Sequence, residues 1–189
     1  ILQPPFFNAQ ADDAVNYGGI GAVIGHEITH HFDDRGRQYD EVGNLAEWWN
    51  ADDVARYKER AARVAQQYSD YAPLPGYTIN GQQTLGENIS DLGGVKLAYD
   101  ALQRALTRQP TGKVDGYTPE QRFFLSFATI WRAKYRTEAL INQLRTDSHS
   151  PSRYRVLGPL ANVPAFAQAF NCQPGAPMMR APAEQISIW

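Results

Sequence analysis

The sequence predicts a mainly α-helical fold. Apolar residues recur at three- and four-residue spacing over several long windows, and polar capping residues mark where those windows begin. Only one short stretch carries a hairpin-like signal. With 43% apolar and 20% charged residues among 189, the chain is an ordinary globular mix, long enough for one sizeable core. A formal net charge of −2 offers no electrostatic attraction to nucleic acid or to an anionic membrane surface. No apolar run approaches the roughly 20 residues of a membrane span, so no membrane contact is expected from this segment.

Residues 1–17 read as an extended or irregular lead-in. Ile1-Leu2-Gln3-Pro4-Pro5-Phe6-Phe7 is apolar, stiffened by proline and opens without methionine, and it reads as the middle of a longer polypeptide. Gly18-Gly19-Ile20-Gly21 precedes a helix over Ile20–Asp33, where Ile20, Val23, Ile24, Glu27, Ile28 and His31 follow helical spacing. The glycines lack a Gly-Lys-Ser/Thr ending and a preceding strand, which argues against a phosphate loop and for close approach of another segment. Asp33-Asp34-Arg35-Gly36-Arg37 ends this helix in a charged turn.

A second helix begins after Asn50, with acids in its first turn and a stripe of Val54, Tyr57, Ala61, Val64 and Tyr68. Pro73, Pro75 and Gly76 break the pattern, and Asn80-Gly81 signals a tight turn compatible with a short hairpin. A third helix is expected over Thr84–Thr107. A fourth starts at Thr118-Pro119-Glu120-Gln121, a capping box with proline at the first helical position, and carries Phe123, Phe124, Phe127, Ile130 and Trp131. A short last helix begins near Pro164. There are no repeats and no linker. Cys172 is the only cysteine, so no disulfide can form within the segment.

The chemistry concentrates at His26-Glu27-Ile28-Thr29-His30. On a helix, positions i and i+4 lie one above the other, so two neutral imidazoles project from one face and can bind one Zn²⁺. Glu27, one position round, leans towards a water on the metal and can take its proton, which points to metal-assisted hydrolysis of an amide. His31 lies about 100° away and reads as a packing or surface residue. The best third ligand is Glu87, with Asp91 four residues on and able to accept the second N–H of a ligand histidine. Thr84-Leu85-Gly86-Glu87 is also a capping box, which would give Glu87 a local role instead. The residues alone leave both readings open.

Taken together, Asn16-Tyr17-Gly18-Gly19-Ile20-Gly21, His26–His30, Phe32-Asp33-Asp34, Gly86-Glu87-Asn88-Ile89 with Asp91, Thr146-Asp147, His149-Ser150-Pro151, Ala169-Phe170-Asn171-Cys172 and Trp189 resemble the catalytic region of the neprilysin and endothelin-converting-enzyme family. The similarity extends over essentially the whole chain. It implies a zincin-like (gluzincin) metallopeptidase fold, helical with little β, in which His26, His30 and Glu87 hold one Zn²⁺. Glu27 is then the general base and acid, and Asp91 partners a ligand histidine. By the same matching His149 stabilises the oxyanion, Arg155 binds a substrate carbonyl, and Phe6, Val23, Ile130 and Trp131 form an apolar specificity pocket.

The implied activity is endopeptidase cleavage of oligopeptides on the amino side of bulky apolar residues. Residues 1–189 are then the C-terminal catalytic region of a larger peptidase, whose upstream helical domain and substrate-binding strand complete the cleft. Few cysteines favour a bacterial-type member, and the family points to a secreted, periplasmic or membrane-anchored setting. A non-enzymatic zinc-containing interaction or structural domain is the alternative, and a fourth protein ligand would favour it.

Overall fold

The computed structural model describes all 189 residues, and the order of its elements follows from capping and packing rather than from any sheet. Helix α1 (Asp13–Asn16) passes through a π turn at Tyr17–Gly21 directly into α2 (Ala22–Thr29), which tightens into a 3₁₀ turn at His30–Phe32. Then come α3 (Ala51–Ser69), α4 (Leu85–Arg108), α5 (Pro119–Ile130), α6 (Thr137–Thr146), α7 (Ser152–Leu160) and α8 (Pro164–Ala169). The β content is three isolated antiparallel bridges, Tyr39 with Leu45, Leu74 with Tyr77 and Val114 with Tyr117.

Two caps work as their residue types dictate. Asn50 accepts the N–H of Asp53 at 2.8 Å to start α3. Thr118 and Gln121 close a reciprocal box at the start of α5, with Pro119 at the first position. Helix α4 is central and serves two cores. Its Val95, Ala98 and Leu102 pack with Phe123, Phe124 and Phe127 of α5, Leu160 and Phe166. Its Leu85, Ile89 and Leu92 pack with Tyr57, Ala61, Val64 and Tyr68 of α3 and with Ile186 and Ile188 near the C-terminus. Each fully buried side chain of this size contributes about 1.5–3 kcal/mol of transfer free energy.

Helix α2 lies against α4 at a separation only glycine permits. A Cβ on Gly25 would meet Gly94 O at 2.7 Å, and one on Gly94 would meet the backbone N of His26 at 2.6 Å and Ala22 O at 2.7 Å. These are backbone collisions, which no rotamer relieves.

Several expectations need correction. The helical run begins before Ile20, because Asp12 caps α1 by accepting from Val15 N, and the π turn shifts the phase on which the spacing argument relies. Ile24 and Ile28, placed on the apolar stripe, are each 52% exposed. No hairpin forms at Asn80-Gly81: Asn80 Oδ1 accepts from Gln83 N at 3.0 Å and shapes the turn that leads into α4. Helices α6 and α7 are additional to the helices expected above. Alanine at 94 is therefore expected to destabilise the protein by about 1–3 kcal/mol in denaturant unfolding, despite its better helix propensity. Gly112→Ala, with nothing within 4 Å of the new carbon, should shift stability by less than about 0.5 kcal/mol.

Candidate metal centre

The close crossing of α2 and α4 sets two histidines opposite two carboxylates. His26 and His30 project from α2 and its 3₁₀ extension, and Glu87 and Asp91 lie one turn apart on α4. His26 Nδ1 is 2.8 Å from Asp91 Oδ1, and His30 Nδ1 is 2.7 Å from Asp33 Oδ2. Donation of both Nδ1–H groups to carboxylates turns both Nε2 atoms inward. Those atoms are 3.0 Å apart, with Glu87 Oε2 3.2 Å from His26 Nε2 and Glu87 Oε1 3.6 Å from His30 Nε2. Ligand atoms of His26, His30 and Glu87 all lie within 4.8 Å of one another.

Acceptors that converge in this way attract a cation, whether a proton or a metal. Glu87 Oε2 is buried and makes no well-formed hydrogen bond, as expected of an oxygen aimed at such a site. The donor set of two imidazoles and one carboxylate fits zinc. The same field acts on the groups themselves. Burial opposes a charge on His26, but its hydrogen bond to Asp91 and the adjacent Glu87 carboxylate outweigh it and push the imidazole up to about 9. Burial also works against Glu87, yet the adjacent His26 and the charges of His149 and His30 hold its carboxyl below the usual range.

Thr84 does not cap α4. Its backbone lies at φ −97° and ψ 10°, outside the extended cap conformation, and its hydroxyl donates to Asn80 O at 3.1 Å. The capping role for Glu87 therefore has no partner, and its carboxylate stands among the histidines. Sequence reasoning also missed what orients His30. The orienting group is Asp33 of the charged turn, and its spacing of three residues from His30 is a usable signal. Ser90, given no role from the sequence, places its Oγ 3.0 Å from the same nitrogen.

A cavity of about 190 Å³ adjoins the cluster, and Phe6, Val23, Glu27, His26, Asp91, Ile130, Trp131, His149 and Arg155 line it. Phe6 reaches it through the π turn. The Ile20 N–H donates to Phe6 O at 2.7 Å, and a Cβ on Gly19 would meet that oxygen at 2.3 Å. Glu27 is exposed at the mouth. A larger hollow of about 550 Å³ also touches His30 but contains neither Glu27, His149 nor Arg155.

Arg155 is buried beside the cluster. It is 8% exposed, lies 3.9 Å over the Trp131 ring and grips Asp91 with Nε at 2.8 Å and Nη2 at 2.7 Å. Its Nη1 makes no hydrogen bond to protein. Burial alone would raise the Asp91 carboxyl, but the Arg155 guanidinium holds it below its ordinary value. His149 Nε2 stands 3.1 Å from Glu87 Oε2, with its Nδ1 2.8 Å from Asp147 Oδ1. His31 is exposed, with Nδ1 3.3 Å from Ile28 O.

Comparison with known proteins gives a consistent result. The pattern described as Peptidase family M13 matches residues 1–186. Neprilysin-2 of Drosophila melanogaster is 47% identical over 193 residues, covering 100% of this chain and 25% of its own length. Endothelin-converting enzyme 1 of Mus musculus is 45% identical over 192 residues, with 100% and 25% covered. The chain thus spans about a quarter of the length of these relatives. Among solved structures, the Mycobacterium tuberculosis zinc metalloprotease Zmp1 in complex with inhibitor superimposes at a TM-score of 0.96 with 46% identity, over 100% of this chain and 30% of that one. PepO from Lactobacillus rhamnosis HN001 gives 0.88 at 39% identity, over 100% and 28%.

Replacing Asp33 by Asn keeps the Oδ1 that accepts from the Arg35 and Gly36 N–H groups but sets an amide against His30. Zinc affinity, measured by chelator competition, should fall about 10–100-fold with binding still at one ion per chain. Unchanged affinity would remove Asp33 from the orientation of His30.

Proposed function

Because this chain belongs to peptidase family M13, we propose that it is the C-terminal catalytic region of a longer zinc-dependent endopeptidase. The observation that carries this reading is the convergence of His26, His30 and Glu87 ligand atoms within 4.8 Å, beside a cavity onto which Glu27, His149 and Arg155 open. His26 Nε2, His30 Nε2 and a Glu87 oxygen would hold the metal. Bound zinc supplies a Lewis acid that lowers the pKa of water to about 7.

The protein's own groups then divide the work. The Glu27 carboxylate takes a proton from the attacking water and returns it to the amide nitrogen as that bond breaks. His149, held from behind by Asp147, donates its Nε2–H to the substrate carbonyl oxygen as negative charge develops there. Arg155 has two nitrogens committed to Asp91, which leaves Nη1 to donate to a second substrate carbonyl. Asp91 acts twice, orienting His26 and fixing the guanidinium that reaches the peptide.

The cavity volume of about 190 Å³ is below the ~300 Å³ of a typical small-molecule pocket and suits a single side chain. Its walls of Phe6, Val23, Ile130 and Trp131 favour a bulky apolar one, on the carboxyl side of the cleaved bond. The substrate is then an oligopeptide cleaved on the amino side of such a residue. The remainder of the polypeptide supplies the rest of the cleft. No helix of the structure is long and apolar enough to cross a membrane. A purely structural zinc is disfavoured because such sites take four protein ligands, and this cluster offers three.

Glu27→Gln in the longer polypeptide should retain zinc at the wild-type ratio while peptide hydrolysis falls by about 10²–10⁴-fold, as for loss of a general base. Glu87→Ala should lower zinc occupancy and activity together. Wild-type turnover in the first variant would overturn the assignment of the base, and normal zinc affinity in the second would overturn that of the ligand.

A further inference from the structure

We propose that the first turn of α4 and the turn leading into it position His149 as well as supplying Glu87, through side-chain bonds from Gln83 and Asn88 to the loop that carries His149. The inference rests on the reading of His149 as the oxyanion donor. That residue sits between α6 and α7, and its side chain is 44% exposed, so packing does not hold it. Hydrogen bonds do. Asp147 Oδ1 accepts the His149 backbone N–H at 2.8 Å and lies 2.8 Å from its Nδ1, which fixes the ring to its own loop.

The loop is in turn fastened at two points, one in the turn before α4 and one in its first turn. Gln83 Nε2 donates to Asp147 O at 2.8 Å, and Ser150 Oγ donates to Asn88 Oδ1 at 2.7 Å. The second bond is deeply buried, with Ser150 and Asn88 each 1% exposed. Asn88 cannot swing away, because its Nδ2 donates to Thr84 Oγ1 at 2.8 Å and Thr84 donates onward to Asn80 O. A buried polar chain with every member paired specifies one geometry, whereas apolar contacts tolerate sliding.

Gln83 and Asn88 flank Glu87 in sequence, so one helix start fixes both the third ligand and the loop bearing the donor. That common origin accounts for how His149 Nε2 is held 3.1 Å from Glu87 Oε2 although the two lie on different elements. Releasing the loop would move the donor while leaving Glu87 in place. The loss should appear in turnover and not in metal binding.

The test is a double-mutant cycle of Ser150→Ala and His149→Ala in the longer polypeptide, with kcat and KM on a short peptide and the zinc dissociation constant measured for each variant. Ser150→Ala is expected to lower kcat about ten- to hundredfold by misplacing the donor, with zinc affinity within about twofold of wild type. In the His149→Ala background the same change should cost less than about twofold, because the two residues act as one unit. An equal loss of kcat in both backgrounds, a parallel loss of zinc, or no loss at all would overturn the proposal. Gln83→Ala, at the less buried of the two fastening points, carries the same expectation should Ser150→Ala fail to fold. If His149→Ala itself leaves kcat unchanged, the oxyanion assignment falls and this inference falls with it; a slow His149→Ala without coupling removes the inference alone.

Discussion

The crossing of α2 and α4 at Gly25 and Gly94 is the constraint on which the rest of the structure depends. Two helices bearing ordinary side chains pack with axes about 8–10 Å apart, which would leave His26 and Glu87 out of reach of a common ion. Here the backbones touch, so close that a single methyl on Gly94 would collide with the His26 nitrogen. The short imidazole and carboxylate arms then meet with Nε2 and Oε2 3.2 Å apart. Everything downstream is support for this juxtaposition. α4 is anchored on both sides by apolar clusters, so it does not shift when α2 is pressed against it.

A second layer of organisation is electrostatic. Asp91 is 3% exposed, a costly place for a charge, and it is kept ionised by a two-point grip from Arg155 and a bond from His26. Removing one partner of such a buried set typically costs about 3–5 kcal/mol, which ties the orientation of the His26 imidazole to that of the Arg155 guanidinium. Trp131 completes the arrangement, its ring lying under the guanidinium and its side chain lining the cavity. The apolar pocket and the ionic network are therefore built from shared side chains rather than placed side by side.

Much of this was legible in the sequence, for reasons that can be stated. The His26–His30 spacing is local, so helix geometry alone puts both rings on one face. The capping box at Thr118 is equally local, and α5 starts where it says. The resemblance to the neprilysin and endothelin-converting-enzyme family, borne out by the match to family M13, brought Glu87, Asp91, His149 and Arg155 to one site that spacing alone does not link. What the residues did not reveal depends on distant partners or on broken periodicity. The π turn hid the start of the first helical run, and the Thr84–Glu87 box looked sound until the backbone at Thr84 proved non-helical and non-extended. Asp33 and Ser90 escaped notice because their value lies in contact with His30, and only Asp33 carries a spacing clue. The exposure of Ile24 and Ile28 shows the limit of periodicity, which identifies a stripe without saying what lies against it.

The proposed zinc site draws two imidazoles and a carboxylate together across the α2–α4 crossing. X-ray absorption at the zinc edge of the zinc-loaded protein measures that ligand set directly. Two imidazole nitrogens at about 2.0–2.1 Å, oxygen donors at about 2.0–2.2 Å and no sulfur are expected. Sulfur scattering near 2.3 Å, which only Cys172 or a methionine can supply from this chain, or a shell containing a single imidazole, would contradict that ligand set.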